Sequence, residues 1–156
     1  MKRRDIFIIL AILALDLGTK YIVQTNLDLH KQIPIIENFF YLTYAKNTGA
    51  AWSLFSGRVS ILALTSLVGV GLFSFMYVKT PEKDNFGRIC LAMMIAGAAG
   101  NLFDRVFFGY VRDFLDFYIL GYDFPIFNVA DMALCIGIGL LILQTIFKKE
   151  ETHGEN

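Results

Sequence analysis

Charge is scarce in this chain. Only 18% of its 156 residues are Asp, Glu, Lys or Arg, where a soluble domain carries about 25%. Hydrophobic residues make up 56%, and mean hydropathy is +0.55. The apolar residues fall in runs, which points to a membrane protein. Cysteine is almost missing: Cys90 and Cys135 are the two present, both inside apolar runs. With no C-x-x-C, and with His30 and His153 outside those runs, they read as two small buried hydrophobes. Redox and zinc signals are absent. No basic patch exists, which excludes nucleic-acid binding, and no internal repeat or low-complexity segment is evident. The zero net charge decides little. Lys2, Arg3 and Arg4 before Ile6–Leu15 imitate a signal peptide. No small-residue cleavage site comes after them, and Asp16 and Lys20 interrupt the run, so the segment reads as a retained first span.

Four segments approach the ~20 residues a bilayer requires: Ile6–Val23, Val59–Val78, Phe86–Phe108 and Phe124–Phe147. Basic residues set the orientation. Lys2, Arg3, Arg4, Lys79, Lys83, Arg88, Lys148 and Lys149 all fall on one side. That side, with both termini, is expected to be cytoplasmic, leaving 24–58 and 109–123 outside. The first of these holds β-branched and aromatic residues from Ile33 to Tyr44 with a turn at Glu37 and Asn38, which predicts a small β element. Trp52 and Phe55 suit the membrane interface. The second, with five aromatic residues between Tyr110 and Tyr122, reads as a short interfacial helix or loop. The expected fold is an all-α membrane domain over 1–156 with a small extracytoplasmic β element. Residues 148–156 form a solvated tail.

Two aspartates stand out in this lipid-compatible chain. Asp131 lies near the start of the last span, and Asp113 in the aromatic stretch before it. A carboxylate in or beside a membrane segment is costly and marks a functional site, and two that converge suggest an acid/base pair sharing a proton. Counting 1.5 Å per residue, Asp104 lies roughly 22 Å from the inner edge and Asp131 roughly 9 Å from the outer one. In a core about 30 Å thick these levels nearly coincide. Asn101, Arg105, Asn128, Asp16 and Lys20 gather near that outer level. Asp123 and Pro125 fit the start of span four as cap and early proline.

The spacings define faces. Asp16 and Lys20 are i,i+4 and form either a helix-stabilising pair or a substrate contact. Asn101, Asp104 and Arg105 share one face, with Asp104 and Arg105 a candidate structural ion pair. Gly97 and Gly100 suit close helix packing. Asn47 and Gly49 suit a turn. Asp116 remains an alternative to Asp113 on residues alone. A proton-coupled transporter is a rival reading, but the uniformly apolar or small run Ile89–Ala96 argues against a continuous polar path. A non-catalytic assembly module is a second rival.

Five motifs in order resemble the lipoprotein signal peptidases, or signal peptidase II. They are Asp16-Leu17-Gly18-Thr19-Lys20, Asn47-Thr48-Gly49-Ala50-Ala51-Trp52-Ser53, Gly97 through Arg105, Val111-Arg112-Asp113-Phe114, and Phe127-Asn128-Val129-Ala130-Asp131. The chain departs from the family pattern at Leu17, Ala96, Arg112 and Met132, none of which removes a needed ionisable group. The resemblance implies an aspartic endopeptidase of the bacterial inner membrane with its site near the outer face. It implies Asp113 and Asp131 as the catalytic pair, without metal, cofactor or covalent intermediate. It implies Asp16, Lys20, Asn47, Gly49, Asn101, Asp104, Arg105, Asn128 and Ala130 as substrate-binding or supporting residues. The implied partners are membrane lipid and a prolipoprotein carrying diacylglycerol on its cysteine, and a monomer is expected.

Overall fold

The computed structural model describes residues 1–49 and 57–153, the side chains of 149–153 excepted. Trp52 and Phe55 therefore lie outside the described residues, as does the end of the second motif. Four helices are long and apolar enough to cross a membrane: α1 (Arg3–Asn26), α2 (Val59–Lys79), α3 (Asn85–Phe107) and α4 (Val129–His153). Strands β1 (Gln32–Ile36) and β2 (Phe40–Asn47) come after α1, and β3 (Val111–Ile119) and β4 (Tyr122–Asp123) after α3. The fold is the expected one, a helical membrane domain with a small antiparallel sheet.

Burial separates the helices. In its apolar stretch 61% of α3 is buried, against 17% for α1, 6% for α2 and 17% for α4. α3 is thus the central post, and large apolar side chains of the other three, such as Phe7, Leu67 and Ile142, face outward where lipid would meet them. The small residues of α3 make this possible. A Cβ at Gly97 would collide with the Ala130 carbonyl oxygen of α4, and one at Gly100 would stand 2.6 Å from Asp16 Oδ2 of α1. Three helices therefore meet closely at this level, as small-residue packing in membranes allows. Further along, Tyr77, Leu91 and Met94 form an apolar cluster with Phe73 of α2, Ile95 of α3, and Leu134 and Leu141 of α4.

One end of the bundle holds the start of α1, the α2–α3 loop and the end of α4. There Lys2 Nζ donates to Asn85 Oδ1 (2.7 Å), and Lys148 Nζ meets Asp84 Oδ2 (2.9 Å). The sheet covers the opposite end, in the order β1-β2-β3-β4 and antiparallel throughout. The Glu37–Asn38 turn is present, with Asn38 at φ 61°. Val23, Tyr44 and Phe114 join Leu27 and Val129 in seating the sheet on α1 and α4. Between Leu42 and Ala45 the register of β2 against β3 shifts. The extra residue is a bulge, which bends the strand and re-aims the residues beyond it. Past it, Ala45 stands opposite Asp113 and Asn47 opposite Val111.

Two expectations change. The segment expected as an interfacial helix or loop is mostly strand, because β2 offers it an edge with unpaired backbone. Span four begins at Val129 and not at Phe124. The residues before it bond to β3 instead, with Phe124 N–H donating to the Phe117 carbonyl (2.9 Å) and Leu115 and Phe127 exchanging bonds (2.9 and 3.1 Å). Asp123 is part of β4 and Pro125 lies in the extended link, so neither starts the helix.

The close approach of α3 to α4 has a measurable consequence. Gly97→Ala should lower stability by about 1–3 kcal/mol through overpacking. Gly139→Ala, where nothing lies within 4 Å of the new carbon, should leave it unchanged or raise it by up to about 1 kcal/mol. Unfolding midpoints in one detergent compare them.

Candidate active site

The first turn of α4 is built by a reciprocal pair. Asp131 N–H donates to Asn128 Oδ1 (3.0 Å), and Asn128 N–H donates to Asp131 Oδ2 (3.2 Å). This is a capping box with Asn and Asp in its two positions, and it holds the Asp131 carboxylate still. Asn128 then reaches a second carboxylate. Its Nδ2 donates to Asp113 Oδ1 (2.6 Å) and to Asn101 Oδ1 (3.2 Å). Asn101 Nδ2 donates to Asp131 Oδ1 (2.7 Å), and Asn47 Nδ2 to Asp113 Oδ2 (2.9 Å). Three asparagines thus clamp two aspartates from α3, β2 and the start of α4.

Both carboxylates line one cavity of about 1160 Å³. Asn47, Gly49, Asn101 and Arg105 share its wall, and it continues between α2 (Ser66, Gly69, Phe73) and α4 (Met132, Cys135, Ile136). Burial above all, and then the neighbouring Asp131 charge, push the Asp113 carboxyl up to about 7, while its two asparagine bonds oppose them. Arg105 stands on the same wall. Its Nη1 donates to Ser66 Oγ (3.1 Å) and its Nη2 to the Gly49 carbonyl (3.3 Å), tying the end of the described β2 segment to α2. The Gly49 N–H bonds Asn47 Oδ1 (2.9 Å), the expected turn.

A second, fully buried layer lies behind this wall. Lys20 Nζ meets Asp16 Oδ2 (2.8 Å), Asn101 Oδ1 (3.2 Å) and Asp104 Oδ2 (3.5 Å). Asp104 takes Arg112 Nη2 on Oδ1 (2.7 Å) and Arg112 Nε on Oδ2 (3.2 Å), a two-pronged pair. The Arg112 N–H also donates to Asp104 Oδ2 (2.9 Å). Asp16 Oδ1 accepts the Ala130 N–H (2.9 Å), satisfying a donor that the helix start leaves free. Asp16, Lys20, Asp104 and Ala130 do not line the cavity. They support the site from behind, so the Asp16–Lys20 pair is not at the cavity surface.

The expected Asp104–Arg105 ion pair is absent among the described residues. Adjacent helical residues point about 100° apart and do not face each other, so Asp104 turns to α1 and β3 and Arg105 to the cavity. Asp104 pairs with Arg112 instead, a residue that the sequence marks only as a departure from the family pattern. A signal for it exists: a buried carboxylate needs a cation. Reading 109–123 as an interfacial element hides it. Asp116 is separated from Asp113 by the strand alternation. It accepts Thr43 Oγ1 (2.5 Å) and Gln32 Nε2 (3.1 Å) on the sheet and does not line the cavity. Cys90 is buried as expected, but Cys135 is exposed, on the cavity wall. Among the described residues, no three His, Cys, Asp or Glu side chains are placed to hold a metal ion.

Four apolar helices, a sheet capping one end and two clamped carboxylates in a cavity there define a multi-pass membrane protein with an enzyme-like site. Residues 8–147 match the family model described as signal peptidase (SPase) II. The chain is 37% identical over 147 residues to a lipoprotein signal peptidase of Staphylococcus carnosus, covering 94% of this chain and 92% of that one. A lipoprotein signal peptidase of Halalkalibacterium halodurans is 40% identical over 147 residues, covering 94% of each. Its fold matches a bacterial membrane enzyme solved by the in meso method at 2.3 Å, with TM-score 0.90 and 33% identity over 95% of this chain and 90% of that one. A second such structure, at 1.9 Å, gives TM-score 0.83 and 34% identity, over 91% and 92%. The chain belongs to the signal peptidase II family of membrane peptidases.

Two measurements test this geometry. Asp104→Ala strands Arg112 and Lys20 without their shared carboxylate, and should cost about 3–5 kcal/mol in unfolding experiments. Asp113 titrates high in the folded state, so its contribution to stability is full below the ordinary carboxylate range and is lost as pH rises through about 7. Asp113→Asn should therefore gain stability over the wild type at pH 8, and by less at pH 5, in melting curves at the two pH values.

Proposed function

We propose that this protein is an aspartic endopeptidase that removes the signal peptide from diacylglyceryl-modified prolipoproteins, cutting just before the lipidated cysteine. The observation that carries the reading is the single residue Asn128, which bonds both Asp113 and Asp131 at the wall of one cavity. Two carboxyls held this way cannot both ionise cheaply, so the pair holds one proton at working pH. The charged partner takes a proton from water as it attacks the scissile carbonyl. The protonated partner donates to the carbonyl oxygen. As the C–N bond of the tetrahedral intermediate breaks, the carboxyl that took the water's proton passes it to the leaving nitrogen, and a hydroxyl of the intermediate returns a proton to the other carboxylate, which restores the pair. The proton belongs to the pair as a whole.

The surroundings support this chemistry. Asn47 and Asn101 fix the two carboxylates against rotation, so the water has a defined base to meet. Arg105 and the Asn47–Gly49 turn offer donors to the backbone of an unwound substrate. Such donors matter because unpaired backbone is costly in lipid. The cavity's extension between α2 and α4 suits a signal-peptide helix entering sideways from the bilayer. In this reading the sheet end faces the outer side, where a diacylglyceryl group would be anchored. The basic residues of the opposite end and both termini face the cytoplasm. Both carboxylates come from one chain, which supports a monomer as the working unit.

Cleavage of a diacylglyceryl-modified prolipoprotein and of its unmodified twin, read by mass spectrometry, tests the proposal. The wild type should cut only the modified form, before the cysteine. Asp113→Asn and Asp131→Asn, folded as judged by melting, should each lose about 10²- to 10⁴-fold in turnover, while Asp116→Asn should keep most of it. Turnover that survives either of the first two substitutions would refute the assignment. No cleavage by folded wild-type protein would favour a transporter or assembly role.

A further inference from the structure

Lys20 is the least expected side chain in the molecule. It is a fully buried ammonium in a helix otherwise suited to lipid, and it does not itself line the cavity. A buried lysine needs every donor used. Here three acceptors surround it: Asp16 Oδ2 at 2.8 Å, Asn101 Oδ1 at 3.2 Å and Asp104 Oδ2 at 3.5 Å. Two of these are charges that any ion pair would supply. The third, the neutral Asn101, connects the ammonium to the site.

We propose that Lys20 is a positioning residue for the Asp113–Asp131 pair, acting through the side-chain amide of Asn101. An amide has an oxygen face and a nitrogen face, and its neighbours decide which way it turns. Asn101 Oδ1 faces the Lys20 ammonium and Asn128 Nδ2, both donors. Flipping the amide would set its NH₂ group against two donors and its oxygen against the Asp131 carboxylate. Lys20 thereby holds the Asn101 NH₂ on Asp131 Oδ1 at 2.7 Å. The same contact steadies Asn128, whose other bonds go to Asp113 Oδ1 and to the Asp131 N–H. One charge behind the wall thus orients two of the three amides that touch the pair, Asn101 and Asn128.

Charge balance points the same way. The groups packed at this level are Asp16 and Lys20 on α1, Asp104 and Arg105 on α3, Arg112 and Asp113 on β3, and Asp131 on α4. Four carboxylates face three cations, so the cluster is neutral when the carboxylates hold one proton. Without Lys20 it is neutral only with two. A pair holding two protons has no base for water. Lys20 therefore keeps one aspartate ionised as well as holding the amide that positions it.

This inference rests on the proposed function, and the experiment separates the two. Lys20→Met removes the ammonium at similar volume but strands two buried carboxylates. The double variant Asp16→Asn with Lys20→Met removes a charge of each sign and keeps an acceptor for the Ala130 N–H, so it guards against simple misfolding. kcat and KM are measured across pH with a diacylglyceryl-modified substrate, beside melting curves. In the folded double variant kcat should fall roughly 10- to 100-fold from misplacement of the pair, with KM within about two-fold of wild type. The acid limb of the kcat profile should move up by about one pH unit in Lys20→Met, which loses a cation alone, and should stay near the wild-type position in the double variant, which keeps the charge balance. A folded double variant with wild-type kcat would overturn the inference and leave the proposed function standing. Wild-type protein that cuts nothing would overturn the proposed function and this inference with it.

Discussion

The structure hangs on the joint between Asp104 of α3 and Arg112 of β3. Two bonds from the guanidinium and one from the Arg112 backbone fasten the sheet to the end of the central helix. In a strand, successive side chains point to opposite faces. Once Arg112 turns down to Asp104, the next residue must turn the other way. That residue is Asp113, and the way it turns is into the cavity. An ion pair buried in the support layer thereby dictates the aim of the carboxylate next to it in the chain, whose own side-chain bonds go to Asn47 and Asn128.

Burying that joint carries a cost that its neighbours meet in kind. Removing a charged pair from water takes several kcal/mol per ion unless further hydrogen bonds complete it. Arg112 gives its remaining prong to Gln24 Oε1 (2.9 Å) and stacks over the Phe108 ring at 4.3 Å. Asp104 takes Lys20 as its second cation, and Asp16 takes the Ala130 N–H. The result is that α1, α3, α4 and β3 are all tied into one polar layer. Gly97 and Gly100 set its thickness, since the helices approach only where no Cβ intervenes. Packing and electrostatics here are a single constraint, because a wider gap would leave the charges unpaired.

Much of this is legible in the sequence, and the rest is hidden for physical reasons. The four helices come from long apolar runs, whose signal is strong because lipid tolerates little else. Rise per residue is fixed, so depth alone gathers Asp16, Lys20, Asn101, Asp104, Arg105 and Asn128 at one level. Depth misleads at span four, where Pro125 imitates a helix start while the backbone of 124–127 bonds to β3. The strand over Val111–Ile119 escapes a reading by pattern because its burial is not alternating: Val111 through Phe114 are all buried. A strand stretch buried on both faces loses the period that identifies it. Partner choice is the least legible feature. Which cation meets Asp104 depends on the strand register, and the register depends on a bulge between Leu42 and Ala45 that no local pattern announces.

The two aspartates come from different kinds of element, and that difference matters. A pair of carboxylates on one rigid helix would be spaced by its repeat, and neither could be adjusted alone. Here Asp131 belongs to a helix start, held by its own cap, and Asp113 to a strand, held by the Asp104–Arg112 joint beside it. Each is fixed by its own element, and Asn128 bonds both carboxylates, Asp113 with its side-chain amide and Asp131 with its backbone N–H. Asn128 can do so because it is the last residue before α4: its backbone is free of the helix ladder on one side, and its side chain is free to reach the strand. A helix interior would offer neither freedom. The place where the apolar span begins is therefore also where the two carboxylates can be brought together, and a site at the end of the bundle is dictated by helix geometry before any substrate is considered.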